Sequence, residues 1–453
     1  MIMAFGTVLS YYSKHLMPRV SMKELSLIGA IPPFCLLSLA LFWGRLLDAG
    51  HHRILNSIAG VLVTGGFIGM AFTGGQGRVG DGKYWAILLA VIPVGIGQSI
   101  YFLAAPHMAK TWFPRHKGFS MGITNSGAAV GGALFPISFT EMIGRHSFQA
   151  AVGVFAAISG VLAIFIVWAA VPAPAFQRRQ IGKKSSVSTW WPERAFASWT
   201  FRVLTIAMCF VYLGTLTVPF YIELWAQKRK IGVSEDSVRG QGILAKPGNL
   251  TVYLVVILNS CQLPGRWLGS TMCDYIAARK VHCVATLANA VLIYAGWLRS
   301  RDFASAAVFA GLFGFLLGIM VSLPVNNVQE VLGDRMRLFG QYSGAMYTCA
   351  APFMLCGAVV AGAMVDSKED GITGAGIWAA SVFLAGGLLI FVSLLIPNDT
   401  YNFDEPKTEA NPGTWTPDEP TSPAQHVSGA QAAAVLGSRV QAADLGSRQS
   451  AAV

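Results

Sequence analysis

The chain has 453 residues, 54% of them hydrophobic and only 12% charged, with a formal net charge of +11. A soluble globular domain carries about 25% charged residues, and a soluble core could not hide this much apolar surface, so a soluble enzyme, a disulfide-stapled scaffold and a disordered protein are all excluded. The basic excess would point to nucleic acid in a soluble chain, but here it falls in short segments beside apolar runs, where lysine and arginine meet anionic lipid headgroups.

Apolar runs follow one another at 1–12, 25–46, 54–73, 85–106, 118–140, 149–171, 203–226, 250–271, 281–298, 303–325, 340–364 and 376–396. At about 1.5 Å rise per residue, all but the first are long enough to cross a hydrocarbon core of about 30 Å. The first covers about 18 Å. It lacks both the basic start and the A-x-A-like cleavage site of a secretory signal, so it reads as the inner remnant of a first span whose beginning is missing. Between the sixth and seventh runs, Pro172 to Arg202 is polar and basic, with Arg178, Arg179, Lys183, Lys184, Arg194 and Arg202 against one acid, Glu193. Two blocks of six spans joined by a basic loop form the layout of two pseudo-symmetric helical bundles. The expected organisation is an all-α integral membrane protein of twelve spans. An N-terminal bundle occupies 1–172, a basic cytoplasmic linker 173–202 and a C-terminal bundle 203–397. Residues 398–453 are rich in Ala, Ser, Gly and Pro and carry a weak tandem echo (Gln431 to Arg439, then Gln441 to Arg448). That composition cannot bury enough apolar area to order itself and reads as a disordered cytoplasmic tail.

Basic residues favour an inside linker only mildly, because Lys228, Arg229, Lys230, Arg239 and Lys246 gather in one loop on the opposite side. The expected location is the plasma membrane, with both termini cytoplasmic. The seven cysteines, Cys35, Cys209, Cys261, Cys273, Cys283, Cys349 and Cys356, lie in or beside apolar runs without a Cys-x-x-Cys pair. They read as small hydrophobes rather than as a zinc site or disulfide framework. Gly77 to Lys83 spells G-x-x-x-x-G-K, but Tyr84 follows where a phosphate loop needs Ser or Thr. No metal and no cofactor are expected.

Two segments on the linker side repeat a pattern. Gly44-Arg45-Leu46-Leu47-Asp48-Ala49-Gly50-His51-His52-Arg53 follows the second run, and Gly265-Arg266-Trp267-Leu268-Gly269 leads to Asp274 and Arg279-Lys280 after the eighth. Glycine lets helices approach closely. An aspartate placed where the next helix begins can cap its free N–H groups. Gly44, Arg45, Asp48, Arg53, Gly265 and Asp274 are therefore candidate gating residues, against the plain alternative of two ordinary helix–loop–helix turns.

With these residues in view, the chain resembles a major facilitator superfamily carrier, and within it the fungal branch of the monocarboxylate porter family. Phe5-Gly6-Thr7-Val8-Leu9-Ser10-Tyr11-Tyr12 resembles that branch's first-span motif. Gly44 to Gly50 is similar to its version of the superfamily loop. Trp112-Phe113-Pro114-Arg115-His116-Lys117-Gly118-Phe119-Ser120-Met121-Gly122, with Ser126-Gly127 and Gly131-Gly132, resembles the fifth-span signature and adds Arg115 and Lys117 to the loop candidates. The resemblance covers about 1–397. It implies two six-helix bundles working by alternating access on a small organic solute. The chain departs from animal members, which carry a lysine in the first span and an aspartate one turn before the eighth-span arginine. Gly6 and Gln262 stand at those places here, and of that charged set only Arg266 remains.

Arg266 lies eight residues before Asp274, about 12 Å along a helix. A charge that deep is costly unless it is paired or faces water, so it is the leading candidate for holding an anionic or polar group of a solute. A structural ion pair or a snorkelling side chain is the plain alternative. Asn259 and Gln262 share its helical face. Gln98 and Tyr101 in the fourth span, Asn125 in the fifth and Tyr221 in the seventh are further candidates for lining a central cavity, against ordinary interhelical packing. Glu223 and Glu141 fall near the ends of their spans and read as interfacial. Pro93, Pro106, Pro219, Pro264, Pro324 and Pro352 can kink or break helices.

The sequence therefore reads as a secondary active or facilitative transporter of a small, monocarboxylate-like organic solute and not as an enzyme. The expected partners are that solute, the lipid bilayer and, as an open question, a co-transported proton; no nucleic acid is expected. A secondary-metabolite exporter and a non-transporting nutrient sensor are the alternatives.

Overall fold

A computed structural model describes residues 2–48, 50–73, 79–112, 117–171, 193–232, 250–332, 339–367 and 370–396. Every apolar run becomes helix. The N-terminal half holds α1 (Phe5–Tyr11), α2 (Met22–Ser38), α3 (Ala40–Asp48), α4 (His52–Thr73), α5 (Tyr84–Trp112), α6 (Lys117–Arg145) and α7 (Phe148–Ala169). The C-terminal half holds α8 (Trp199–Thr215), α9 (Thr217–Lys228), α10 (Thr251–Met272), α11 (Ala278–Arg299), α12 (Phe303–Ser322), α13 (Pro324–Leu332), α14 (Phe339–Ser367) and α15 (Gly371–Leu395). Short helical turns, Ile2–Ala4 and Tyr12–Leu16, extend α1 at both ends. The seventh span starts at Trp199, four residues before the expected 203. The tail from residue 397, most of the linker (172–192) and Arg115 lie outside the described residues.

Nine helical spans among the described residues are long and apolar enough to cross a membrane, and α2 with α3, bent by 45° at Leu39, makes a tenth. The two remaining runs differ for physical reasons. Helix α10 has the length, 22 residues, but Asn259, Ser260, Gln262, Arg266 and Ser270 make it too polar for lipid on all sides. The first run is short, and α1 is buried all round. The chain spends its polarity where neighbouring helices, not lipid, receive it.

Local chemistry sets the boundaries. Ser21 and Glu24 form a reciprocal cap at the start of α2, with Ser21 N–H and Oγ both donating to Glu24 Oε2 at 3.1 and 2.7 Å. Ser147 accepts from Ala150 N–H at 3.2 Å, and Asp302 from Ser305 N–H at 3.3 Å, to start α7 and α12. Of the prolines, Pro324 opens α13 after a break and Pro219 sits in the first turn of α9, where the missing N–H costs nothing. Pro93, Pro106, Pro264 and Pro352 lie inside continuous helices and break none of them.

Burial separates peripheral from central helices. On α7 only 17% of the span is buried, and Ile158, Val161, Ile164, Phe165 and Trp168 face outward. The span built from α8 and α9 is 78% buried. The halves meet along two long seams, α2 and α3 against α14, and α6 against α10. Glycine permits the approach: a Cβ on Gly344 would stand 2.7 Å from Leu41 Cα, and one on Gly132 would stand 2.5 Å from Asn259 Oδ1. The cysteines are free thiols; Cys35, Cys209 and Cys283 are buried, whereas Cys356 is exposed among outward-facing side chains.

Candidate functional site

By chain order, the end of the molecule that carries the C-termini of α3 and α10 and the N-termini of α6 and α14 also carries the linker. It is called the linker end below, and the opposite one the far end. Arg266 lies six residues before the end of α10, about 9 Å in from the linker end, and is 3% exposed. Its two terminal nitrogens are held by neutral acceptors: one donates to the Asn125 carbonyl of α6 at 3.1 Å, the other to Gln262 Oε1 at 3.0 Å. Its Nε has no partner. The ion pairs among the described residues, Arg145 with Glu141 and Arg279 with Glu330, do not involve it.

A directed chain of amides stands behind the guanidinium. Gln262 Nε2 donates to Asn259 Oδ1 at 3.1 Å, and Asn259 Nδ2 donates to the carbonyls of Met3 at 3.1 Å and Val255 at 2.8 Å. Each amide is thereby fixed with its oxygen toward Arg266 and its nitrogen away from it. Trp267 Nε1 donates to Ser126 Oγ at 2.6 Å, and a Cβ on Gly122 would lie 3.2 Å from the Arg266 carbonyl oxygen, so α6 and α10 are in backbone contact beside the charge. Asn125, Gln262, Asn259 and Arg266 are thus brought together across the two halves.

The other candidates are placed elsewhere. Tyr101 packs within the N-terminal half against Leu47, Leu55 and Ala59 and donates to the Asn56 carbonyl at 3.3 Å, so it is not gathered with Arg266. Gln98 Oε1 is buried without a partner. Tyr221 is fully buried near the far end, its hydroxyl bonded to Ser26 Oγ across the seam.

The loop candidates also sort differently from their sequence reading. Gly44, Arg45 and Gly265 lie inside helices, not loops. Gly265 serves packing within the C-terminal half: a Cβ there would stand 2.1 Å from the Phe315 carbonyl oxygen. Arg45 sits against the Gln341 amide across the seam. Arg53 is exposed on α4. Asp48 ends α3 and Lys117 begins α6, and their side chains lie outside the described set, as does Arg115. Asp274 is exposed and does not cap α11. Glu330 takes that role from α13, accepting the Arg279 backbone N–H at 2.9 Å and its Nε at 2.8 Å. A carboxylate that reaches the helix start from a facing helix satisfies it without a local cap.

A second polar cluster, which the sequence reading missed, joins α1 to α9 near the far end. Glu223 lies five residues from the end of α9 yet is fully buried, not interfacial. The chain N-terminal to α2 and the start of α10 cover it. Its Oε1 accepts from Gln227 Nε2 at 3.0 Å, and the same nitrogen reaches Thr251 Oγ1 at 3.2 Å. Gln227 Oε1 accepts from Lys14 Nζ, and from Ser10 Oγ at 3.3 Å. The signal was present as the helical spacing of Thr7, Ser10 and Lys14, and of Glu223 and Gln227. Glu141, in contrast, is exposed and paired with Arg145. Among the described residues no group of three His, Cys, Asp or Glu side chains is placed to hold a metal.

Helices that bury polar side chains at a glycine-lined seam between two halves, with apolar faces outside, make a multi-span integral membrane protein. The family model for the Major Facilitator Superfamily matches residues 1–353, and the chain belongs to that superfamily. It is 25% identical over 394 residues to the MFS-type transporter dbaD of Emericella nidulans, covering 86% of this chain and 81% of that one. It is 24% identical over 397 residues to the aspyridones efflux protein apdF of the same organism, covering 87% and 74%. The solved nucleoside transporter NupG shares the fold, with a TM-score of 0.62 at 12% identity over 87% of this chain and 95% of that chain.

Proposed function

We propose that this transporter moves a small organic solute with an acidic group outward across the plasma membrane by alternating access, with the linker end in the cytoplasm. The observation that carries the reading is Arg266: a fully buried guanidinium whose described partners are all neutral and whose Nε has no partner. A cation at the centre of a span costs about 2.5–3.5 kcal/mol on insertion scales, and Arg266, off the centre of its helix, bears part of that cost. A carboxylate or similarly charged oxygen of the solute offsets that cost when it binds. The planar fork of the guanidinium suits two acceptor oxygens at once. Gln262 and Asn259 hold it in register, and the Asn125 carbonyl ties it to the opposite half, so a solute competing for the guanidinium loosens the seam at that point.

Relatives named as efflux proteins support the outward direction. The eighth-span arginine and the fifth-span glycines support a place near the monocarboxylate porters. The test is counterflow in liposomes containing the purified protein, with paired probes: aromatic and aliphatic carboxylic acids and their methyl esters. Acids exchange and esters do not. Equal exchange of both overturns the anionic-solute reading.

A further inference from the structure

We propose that the outward-facing groove between α4 and α7 binds one anionic phospholipid, with an acyl chain in the groove and the headgroup phosphate on Arg53. The site lies within the N-terminal half and is independent of the solute that the seam moves. The groove encloses about 560 Å³, within the range of small-ligand sites. Its α4 wall runs from Ser57 to Ile68, about 16 Å at 1.5 Å per residue. Its α7 wall runs from Val167, two residues from the linker end of that helix, to Gly160 near the helix midpoint. The groove therefore opens toward the leaflet at the linker end.

The walls suit an apolar occupant. The Ser57 hydroxyl donates to the Arg53 carbonyl at 3.0 Å. The Thr64 and Ser159 hydroxyls bond to each other at 3.3 Å, and Ser159 donates on to the Ala156 carbonyl at 2.8 Å. Each of these hydroxyls is thus spent inside the protein. Val61 and Ile164 stand exposed on either side. Two glycines keep the floor low for different reasons. The protein itself requires Gly60, where a Cβ would stand 2.6 Å from Ala163 Cβ. At Gly65 a Cβ would meet nothing within 4 Å. Glycine weakens a helix interior, and no neighbouring helix uses the space that Gly65 leaves. A hydrocarbon chain from the bilayer does.

The linker end of the groove supplies the anchor. Arg53 stands four, seven and eleven residues before Ser57, Gly60 and Thr64, so it shares their helical face. It is exposed, and neither ion pair among the described residues engages it. Trp168, beside Val167, is exposed near the same level, where tryptophan meets the headgroups. A guanidinium takes two phosphate oxygens at once, and a basic side chain at the membrane surface favours lipids of net negative charge. The groove is too narrow for a helix of a second copy. Spread over its length, its volume gives a section of about 35 Å², less than half that of an α-helix about 10 Å across.

The test reads lipid retention and not transport. The full chain, delipidated in mild detergent, is titrated with dioleoyl phosphatidylserine or dioleoyl phosphatidylcholine. Native mass spectrometry counts the retained lipid, and the unfolding midpoint is followed in parallel. The parent protein retains one phosphatidylserine at concentrations where phosphatidylcholine is not retained, and its midpoint rises with phosphatidylserine alone. Arg53→Gln weakens retention about fivefold, as for one basic residue beside an anionic headgroup. Gly65→Leu puts a side chain into the open space and abolishes retention. Gly153→Leu, at an equally open glycine of α7 outside the groove, and Arg301→Gln, at an exposed arginine of the far end, retain the lipid as the parent does. Should Gly65→Leu fail to fold, Arg53→Gln decides. Equal retention of the two lipids, or parental retention in Arg53→Gln or Gly65→Leu, overturns the proposal. Loss of retention in Arg266→Gln overturns it by moving the lipid to the seam. A dimer mass that Gly65→Leu abolishes overturns it by giving the groove to a second copy.

Discussion

Two arginines at the linker end of the C-terminal half, Arg266 and Arg279, are buried to the same degree, 3% and 5% exposed, and are treated in opposite ways. Arg279 has its anion. Glu330 takes its Nε and its backbone N–H, and the Ser393 carbonyl takes a terminal nitrogen at 2.7 Å. That guanidinium ties α11, α13 and α15 into one unit. Arg266 has neutral acceptors only, one of them from the opposite half, and a nitrogen without a partner. Burial alone therefore does not separate the two arginines, and the proposed solute-binding role of Arg266 rests on its missing anion.

The largest expected effect breaks the structural member of this pair. Arg279→Gln leaves Glu330 without its cation and costs about 3 kcal/mol, the low end for breaking a buried pair, because Glu330 is 21% exposed. The measurement is thermal unfolding in detergent, where a large drop is expected whether or not a transported acid is added. Arg266→Gln, under the same conditions and without solute, stays within about 1 kcal/mol of the parent or exceeds it, since it removes an uncompensated buried charge. A drop as large as that of Arg279→Gln would make the two arginines equivalent and end the distinction.

The next two substitutions probe what holds Arg266. Gly132→Ala puts a Cβ 2.5 Å from Asn259 Oδ1, whereas Gly131 has nothing within 4 Å. The first costs about 1–3 kcal/mol of overpacking and slows transport; Gly131→Ala leaves both unchanged. Gln262→Leu removes the acceptor for one terminal nitrogen of Arg266 and costs about 2 kcal/mol, as for a buried donor left unsatisfied. Unfolding midpoints and counterflow rates, taken together, report both effects. Wild-type behaviour in Gln262→Leu would show that the amide chain does not orient the guanidinium.

The smallest effect gives a baseline from an exposed charge. Ser305, through its hydroxyl and backbone N–H, holds the Asp302 carboxyl below its ordinary value. A lowered value means that the cap contributes fully at neutral pH and is lost as pH falls through that value. Asp302→Ala therefore lowers the unfolding midpoint slightly at neutral pH, and the difference from the parent disappears in acid. A persistent difference in acid would show that another interaction was lost.

Most of the fold was legible in the sequence, since helix length and apolar runs are set by the bilayer. Helix breaks were only partly legible. Pro324 marks one, but Pro93 and Pro264 lie in unbroken helices, since membrane-spanning helices tolerate proline where packing can re-satisfy the freed groups. Arg266, Gln262 and Asn259 were legible because they share one face of α10. Asn125 enters through its backbone carbonyl, which no sequence pattern shows. Tyr101 stands apart from them in the structure, its hydroxyl on a backbone carbonyl inside its own half. Glu223 was read as interfacial from its distance to the helix end, yet the first segment and Thr251 cover it. Burial of that kind comes from tertiary contact across more than two hundred residues, which spacing along one helix does not encode.

The claim that Arg266 binds the solute's acidic group is tested most directly by counterflow of a carboxylic acid that the parent protein exchanges, measured at matched reconstitution in Arg266→Gln and Arg266→Lys. Both variants are expected to reconstitute normally and to exchange none of the acid, since a point charge on a flexible stem does not reproduce the planar two-donor grip. Exchange at the parent rate in Arg266→Gln would contradict the account.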